Sequence, residues 1–172
     1  IALLESCQAL STYQCPRTGS TLLHSAAMGV DLKSVRRLIQ LNANPNACET
    51  TLSGRTPLMY AVQHYAPLGI IKELLNAGAK ANFCLNKRSI INYASRGAEG
   101  NLPVLEALLD SLGVSKATKA VNYLLSDTEP YKTALDFAQN PQVRKLLIEH
   151  GALSGADYVA NLRNEIKLSR VG

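Results

Sequence analysis

The residue types that carry most enzymatic chemistry are few in this chain and widely spaced. The three histidines, His24, His64 and His150, stand far apart, and none forms a catalytic or ligand pair with a cysteine or carboxylate. The 13 Asp and Glu residues show no pair on one helical face suited to acid–base work. The motifs G-x-x-x-x-G-K-[ST], G-x-G-x-x-G, H-E-x-x-H and G-x-S-x-G are all missing. We therefore predict no catalytic site, metal or cofactor, and expect that the chain is not an enzyme.

The cysteines also argue against a built chemical site. Cys7, Cys15, Cys48 and Cys84 lie far apart and include no C-x-x-C pair. A disulfide framework in a secreted chain would be denser, so we expect reduced thiols and a cytoplasmic location. No apolar run approaches the roughly 18 residues that span a bilayer. The chain begins at Ile1 rather than at a methionine, and we interpret it as a fragment of a longer protein.

Composition and charge fit a folded chain with an acidic partner. The 172 residues are 47% hydrophobic, with a mean hydropathy of −0.01, which is enough apolar material for one continuous core. The net charge is +5 and the isoelectric point is about 9.1, a moderately basic balance. Such a balance favours acidic partners without naming one.

The elements that would position a site are best defined between Gly54 and Asn82. Thr56-Pro57-Leu58 predicts a helix start with proline in its first turn. A second apolar run at helical spacing follows and stops at Gly78, where a helix most easily ends in a left-handed residue. Neither helix is long enough to be stable alone, so this helix–turn–helix unit must stack on copies of itself.

Copies of the unit are present. The opening pattern returns at Thr21-Leu22-Leu23-His24, Ser89-Ile90-Ile91-Asn92 and Thr133-Ala134-Leu135-Asp136. The roughly 33-residue period, with T-P-L-H-x-A at its start and G-A-x-x-N at its close, resembles the ankyrin-repeat family over roughly residues 15–153. The resemblance implies an all-α solenoid of stacked helix–turn–helix units with projecting β-hairpin-like fingers. It also implies that His24 is structural and ties neighbouring loops together.

The resemblance implies a single ankyrin-repeat domain over residues 1–172 with about four repeats, the third and fourth irregular. In the first repeat the break glycine, Gly29, stands one place earlier than the family norm. The predicted parts are an N-terminal helix or cap (1–14), repeat 1 (15–48), repeat 2 (49–84), repeat 3 (85–112), an inserted helix (113–130), a short repeat 4 (131–153) and a C-terminal helix or cap (154–172).

The insertion between the third and fourth repeats is the main irregularity. We expect Ser115 to cap a helix that packs back on the solenoid; the alternative is that it changes the curvature or builds a contact surface. In repeat 4 we expect a brief first helix, Ala134 to Gln139, followed by a turn at Asn140-Pro141. The apolar positions of the inserted helix are Ala117, Ala120, Val121, Leu124 and Leu125.

In similar proteins, partners contact the finger tips and the exposed face of each first helix. Here the fingers carry a basic residue in every repeat, and three inner helices carry an aromatic residue at the fifth motif position. The opposing interpretation is that the basic residues only keep hairpins soluble and the aromatic residues only pack. The predicted partner-binding residues are Arg17, Arg55, Tyr60, Gln63, His64, Tyr65, Lys87, Arg88, Tyr93, Arg96, Lys132 and Phe137.

The predicted function is a monomeric protein–protein interaction module, a scaffold or adaptor. It would hold another protein, as a peptide segment or a folded domain of acidic or mixed character, in a concave groove. One alternative is nucleic-acid or anionic-membrane binding through basic residues, although Arg36-Arg37 and Arg144-Lys145 fall on outer helices. Another is a substrate-recruiting domain of a larger modifying enzyme or bacterial effector, the latter in the host cytosol.

Overall fold

The structure is a computed structural model that describes residues 9–51, 54–82, 84–85, 88–96, 102–124 and 132–169; the side chains of 84, 85, 88 and 165–169 lie outside the description. The chain divides into two compact units, Ile1–Asn86 and Lys87–Gly172. The elements are α1 (Leu22–Met28), α2 (Leu32–Gln40), α3 (Pro57–Gln63), α4 (Leu68–Asn76), β1 (Cys84–Leu85), β2 (Arg88–Ser89), α5 (Ile90–Ala94), α6 (Leu102–Leu112), α7 (Val114–Val121), α8 (Ala134–Phe137), α9 (Pro141–Glu149) and α10 (Gly155–Ser169). Residues 9–12 are also helical, whereas most of the predicted N-terminal helix lies outside the described residues.

The first unit contains two stacked helix pairs. Helix α1 packs on α2 and α3, and α4 packs on α2 and α3, so that each helix contacts its own partner and its counterpart in the next pair. The apolar residues between them, including Leu23, Leu58 and Leu74, are fully buried. Pro57 occupies the first turn of α3, and the Thr56 hydroxyl accepts a hydrogen bond from the Met59 N–H at 3.3 Å. The sequence predicted this helix start correctly.

Fingers precede the inner helices of the first unit and pack side by side. The Thr50 N–H donates to the Thr18 carbonyl at 2.9 Å, which joins the first finger to the second. Gly19, with φ +70°, lies at this junction, and a Cβ there would stand 2.5 Å from the Thr50 nitrogen. Within the second finger the Glu49 N–H donates to the Arg55 carbonyl at 3.1 Å. The second finger is therefore present, although residues 52 and 53 lie outside the described residues.

The helices of the first unit end in Schellman motifs that demand a left-handed residue. At the end of α3, the Tyr65 N–H donates to the Val62 carbonyl and the Ala66 N–H to the Ala61 carbonyl, at 3.2 and 2.9 Å. Outer helix α4 supplies Gly78 for this conformation, but the inner helices use Val30 (φ 57°) and Tyr65 (φ 54°). The predicted break glycine, Gly29, has φ −78° and stays right-handed.

The second unit is built on α5 and α6. Helix α5 packs on α6, α7 and α8, and α6 packs on α7 and α9. Ile90 and Ile91 of α5 are fully buried, as are Leu105 and Leu108 of α6. The third repeat therefore keeps the packing positions that its sequence predicted, although it lacks the proline. The strands β1 and β2 pair in a two-stranded sheet, which gives this repeat a β-hairpin finger.

The inserted helix, α7, differs in its start from the prediction. It begins at Val114, and Gly113 with φ 67° occupies the N-cap position, so that Ser115 lies inside the first turn and is not the cap. Its predicted apolar positions Ala117 and Ala120, together with Val121, are buried against the second unit. The interpretation that the insertion packs back on its repeats is correct. Leu124 lies beyond the helix, and Leu125 lies outside the described residues.

Two asparagines in different units make the same pair of hydrogen bonds between repeats. The Asn46 side chain donates to the Gly78 carbonyl at 2.8 Å and accepts from the Lys80 N–H at 2.8 Å. The Asn122 side chain donates to the Gly151 carbonyl and accepts from the Leu153 N–H, both at 2.8 Å. Asn122 directly follows α7, so the insertion ends on the residue that ties its repeat to the next closing turn.

The fourth repeat and the tail complete the second unit. Helix α8 ends at Phe137, two residues before the predicted end, because Ala138 takes an extended conformation. The predicted turn is present: Asn140 caps α9 by accepting from the Gln142 and Val143 N–H groups at 2.8 and 3.3 Å. The tail forms the predicted helix, α10.

Candidate functional site

In the first unit, Tyr60, the aromatic residue at the fifth motif position, lies between the second finger and a histidine. The Tyr60 hydroxyl, on α3, donates to Glu49 Oε1 at 2.9 Å. The Arg55 guanidinium carbon lies 5.3 Å from the centroid of the Tyr60 ring. The rings of His24 and Tyr60 meet edge to face, with centroids 5.9 Å apart. We call these four residues together with His64 the Tyr60 cluster.

The hydrogen bonds of His24 fix its tautomer and its role. The Thr21 N–H donates to Nδ1 at 3.1 Å, so that Nδ1 is the acceptor and Nε2 carries the proton. Nε2 then donates to the Arg55 carbonyl at 3.0 Å. Burial lowers the pKa of His24 below 6.5, and its ring stays neutral at physiological pH. The histidine thus ties α1 to the finger that carries Arg55, the structural role that the resemblance implied.

The Tyr60 cluster contains two hydrogen-bond donors, the Tyr60 hydroxyl, which donates to Glu49, and the Nε atom of Arg55. Burial, followed by the hydrogen bond to Glu49, raises the pKa of Tyr60, which keeps its hydroxyl protonated. Arg55 is half-buried, and its Nε atom is fully buried without a hydrogen-bond partner among the described residues. A buried donor of this kind is uncommon in folded proteins and gains free energy when an acceptor reaches it.

The exposed edge of this cluster continues through the end of α3. The His64 ring stacks on Tyr60 with 6.1 Å between centroids and 17° between planes, and it is exposed. Gln63 is half-buried. Tyr65, in its left-handed conformation, leaves 67% of its surface exposed. An exposed aromatic side chain on a strained backbone is the kind of feature that binding sites retain.

In the second unit, two cations lie against one aromatic ring. The Arg96 guanidinium carbon is 4.4 Å from the Phe137 ring centroid and 5.7 Å from that of Tyr93. The Lys132 Nζ atom is 5.5 Å from the same Phe137 centroid. Arg96 and Lys132 are exposed, whereas Tyr93 and Phe137 are half-buried. We call these four residues the Phe137 cluster.

The remaining predicted residues stand apart from the two clusters. Arg17 is exposed in the turn of the first finger, and no contact joins it to the Tyr60 cluster within the described part of the chain. Arg88 belongs to β2, but its side chain lies outside the described residues, as does all of Lys87. The other predicted partner-binding residues with described side chains therefore lie in or beside two local clusters, one around Tyr60 and one around Phe137.

Sequence reasoning missed Glu49, which completes the Tyr60 cluster. Glu49 and Arg55 both belong to the second finger, and one backbone hydrogen bond joins them. An acidic and a basic residue six positions apart in one finger were the available signal. The ring contact of Arg96 with Phe137 had no such signal because it joins separate helices.

The arrangement offers surface that is suited to binding. Among the described residues no group of three His, Cys, Asp or Glu side chains could hold a metal ion. The cysteines whose side chains are described, Cys15 and Cys48, are free thiols. No described helix has the length and apolar character needed to cross a membrane. Aromatic faces covered by cations, with donors at their edges, instead present rigid and amphipathic contact surface.

Helix pairs repeat along the chain, and within each unit an asparagine side chain joins one repeat to the next. This arrangement defines a repeat protein of the ankyrin class. Sequence comparison agrees: a family profile described as ankyrin repeats (3 copies) matches residues 2–83 and 23–120. The chain belongs to the ankyrin-repeat family. Ankyrin repeats generally mediate protein–protein interaction.

One curated relative is the human protein Rabankyrin-5 (Homo sapiens). It is 41% identical to this chain over 69 residues, which are 40% of this chain and 6% of that protein. The chain therefore covers only a small part of the length of the curated relative that it matches.

Proposed function

We propose that this chain is a protein-binding module that captures an acidic or mixed partner through the inner helices and fingers of its repeats. The observation that carries the proposal is the pair of clusters around Tyr60 and Phe137, in which cations lie against half-buried aromatic rings. Aromatic anchors of this type lose little conformational entropy on binding, and arginine pairs bidentately with carboxylates. Free thiols at Cys15 and Cys48 support a reducing compartment.

The basic outer helices support this proposal over nucleic-acid or membrane binding. Arg36 Nε lies 2.7 Å from Glu73 Oε1, and Lys145 Nζ lies 3.9 Å from Glu149 Oε1. Arg144 donates to the carbonyls of Leu135 and Ala138, at 2.9 and 3.2 Å. These cations are already partnered within the protein, so they offer fewer charges to a polyanion than their number in the sequence indicates.

The test is affinity capture from a cytosolic lysate with three forms of the full chain. The double variant Gln63→Ala/Tyr65→Ala removes side chains from the exposed edge of the Tyr60 cluster. The control Lys72→Gln removes an exposed cation from outer helix α4. We expect the wild type and the control to capture the same protein, and nuclease treatment should not change this capture. The double variant should not capture that protein. Identical capture by all three forms would contradict the proposed surface, provided that circular dichroism shows the same fold.

A further inference from the structure

We propose that the Phe137 cluster binds the phosphate group of a phosphorylated side chain on the protein partner, with Arg96 and Lys132 as the two cations. This inference rests on the proposed function and names the chemistry of one contact within it. It is carried by the convergence of two cations on one aromatic ring, in a part of the chain where no described carboxylate neutralises them.

The ring contacts hold the Arg96 guanidinium in a restricted position. It lies 4.4 Å from the Phe137 centroid and 5.7 Å from the Tyr93 centroid, so two aromatic rings limit where it can point. An arginine that is already ordered loses less side-chain freedom when it binds an anion. Stacked on a ring, its planar fork of N–H donors remains open at the edge, which is the geometry that pairs with oxyanions.

The charges of the cluster are unbalanced within the described residues. Lys132 Nζ lies 5.5 Å from the same Phe137 centroid that Arg96 contacts, so both positive charges lie against one aromatic ring. No carboxylate of the described side chains lies within 4.0 Å of either cation. Asp136, the nearest acidic residue along the chain to Phe137, is occupied: its Oδ2 accepts from the Thr133 and Gly155 N–H groups at 2.7 and 2.8 Å.

The Tyr60 cluster provides a comparison within the same protein. There Glu49 supplies a carboxylate that accepts from the aromatic residue beside Arg55. The Phe137 cluster has the same pairing of cation and ring, and no described carboxylate lies within 4.0 Å of its cations. In the proposed site a binding partner supplies the anion.

The number and type of cations favour phosphate over carboxylate. A phosphorylated side chain carries about −1.5 to −2 charges near neutral pH and three strong acceptor oxygens. That charge matches the sum of one guanidinium and one ammonium, whereas a carboxylate would leave one cation unbalanced. Arginine can engage two oxygens through its fork while lysine acts as a point charge on the third.

The experiment titrates the full chain with N-acetyl-O-phosphoserine amide and follows the backbone amide signals of residues 132–137 by NMR at constant ionic strength. The same titration uses N-acetyl-aspartate amide as the carboxylate probe. We expect the phosphoserine probe to bind about tenfold more tightly than the aspartate probe, and Arg96→Gln or Lys132→Gln to weaken its binding about tenfold. Lys116→Gln, which removes an exposed cation of α7 in the same unit, is the matched control and should change the affinity less than about twofold.

Three results would overturn the inference. One is equal affinity for the two probes or an equal loss in the Lys116→Gln control. Another is binding to vesicles that contain a phosphoinositide, dependent on Arg96, without binding of the phosphoserine probe, which would assign the cations to a lipid headgroup. The third is a more than tenfold gain in phosphoserine affinity on Glu99→Gln/Glu129→Gln, which would make the chain's own carboxylates the occupants.

The outcome is separable from that of the proposed function. If the phosphoserine probe fails to bind while Tyr65-dependent capture of a protein persists, the phosphate site is wrong and the protein-binding module stands. If the probe binds while the double variant still captures the protein, the phosphate site at the Phe137 cluster is supported and the proposed protein-binding surface around Tyr60 is wrong.

Discussion

Replacing Tyr65 with glycine should stabilise this protein while removing a predicted partner contact. The Schellman motif at the end of α3 holds Tyr65 at φ 54°. A left-handed conformation costs a residue with a Cβ about 1–2 kcal/mol, and it costs glycine almost nothing. Glycine also makes the unfolded chain more flexible, which removes about 0.4–1 kcal/mol of the gain. Because Tyr65 is 67% exposed, its ring contributes little burial, and the expected net stabilisation is about 0.5–1 kcal/mol.

The measurement is urea unfolding followed by circular dichroism. With a slope of about 2 kcal/mol per molar urea, the midpoint of Tyr65→Gly should rise by about 0.2–0.5 M. Tyr65→Ala is the matched control, because it removes the ring but keeps a Cβ on the left-handed backbone; its midpoint should not rise. A lower midpoint for Tyr65→Gly than for the wild type would refute the argument from backbone strain.

Val30 tests the same argument at the equivalent turn of the first repeat. Its φ is 57°, but it is only 36% exposed, so glycine there also loses apolar burial. Val30→Gly should therefore stabilise less than Tyr65→Gly, and the difference reports the burial of the valine.

Capture of the partner should fall for Tyr65→Gly although the variant is more stable. Unchanged capture would mean that the strain at Tyr65 serves no binding contact.

Three further predictions concern the bonds between repeats. Because burial lowers the pKa of His24 below 6.5, its contribution to stability is complete above pH 6.5 and is lost as the pH falls towards the folded-state pKa, by up to about 1.4 kcal/mol per pH unit. The urea midpoint of the wild type should then fall more steeply below pH 6.5 than that of His24→Asn, and parallel pH profiles would contradict the assignment. Gly19→Ala would place a Cβ 2.5 Å from the Thr50 nitrogen, whereas Gly78→Ala meets nothing within 4 Å, so in thermal unfolding Gly19→Ala should lose about 2 kcal/mol more than Gly78→Ala. Similar losses in the two variants would show that the fingers separate easily. Asn122→Ala breaks two part-buried hydrogen bonds between repeats at 2.8 Å and a third, to the Thr118 carbonyl, at 3.0 Å, so its stability should fall by about 2 kcal/mol. Asn46→Ala should lose less, because its two bonds between repeats are exposed and water can replace them. A loss below about 0.5 kcal/mol for Asn122→Ala in urea unfolding would contradict a role in joining repeats.

The helix starts and the stacked core followed from the sequence because local and repeated signals agree there. Thr56-Pro57 and Asn140-Pro141 combine a capping side chain with a proline in the first turn, and both begin helices in the structure. The copies of the motif placed Leu23, Leu58 and Ile91 in equivalent buried positions. Such positions are set by spacing along one helix, which a sequence displays directly.

The left-handed residue of the first inner turn is not Gly29, because the Gly29 N–H still takes part in the hydrogen bonds of the helix end. The Gly29 N–H donates to the Ser25 carbonyl at 2.9 Å and continues the helix, so the left-handed residue is the next one, Val30. Asp31 then caps α2 by accepting from the Lys33 N–H at 3.0 Å. The position of the turn is fixed by where the next helix begins, and a glycine one place too early cannot move it.

The residues of the two clusters could be selected from the sequence one by one, but their contacts with one another could not. Tyr60 and Phe137 were found because they share a position in the repeat, and Arg55 because each finger carries a cation. Glu49 and the stacking of Arg96 on Phe137 depend on how a long finger and separate helices meet in space. These contacts do not recur at a fixed spacing along the chain, so no periodic pattern in a single sequence reveals them.

The insertion shows which feature of the repeats is kept when their length changes. The interval between the motifs at Ser89 and Thr133 departs from the roughly 33-residue period of the family, because α7 extends the third repeat. Yet Asn122, at the end of α7, makes the same two bonds to the next closing turn as Asn46 makes in the regular first repeat. In a repeat array each unit depends mainly on its interface with its neighbours. An insertion that restores the asparagine before the next repeat begins therefore leaves that interface intact, whatever its own length.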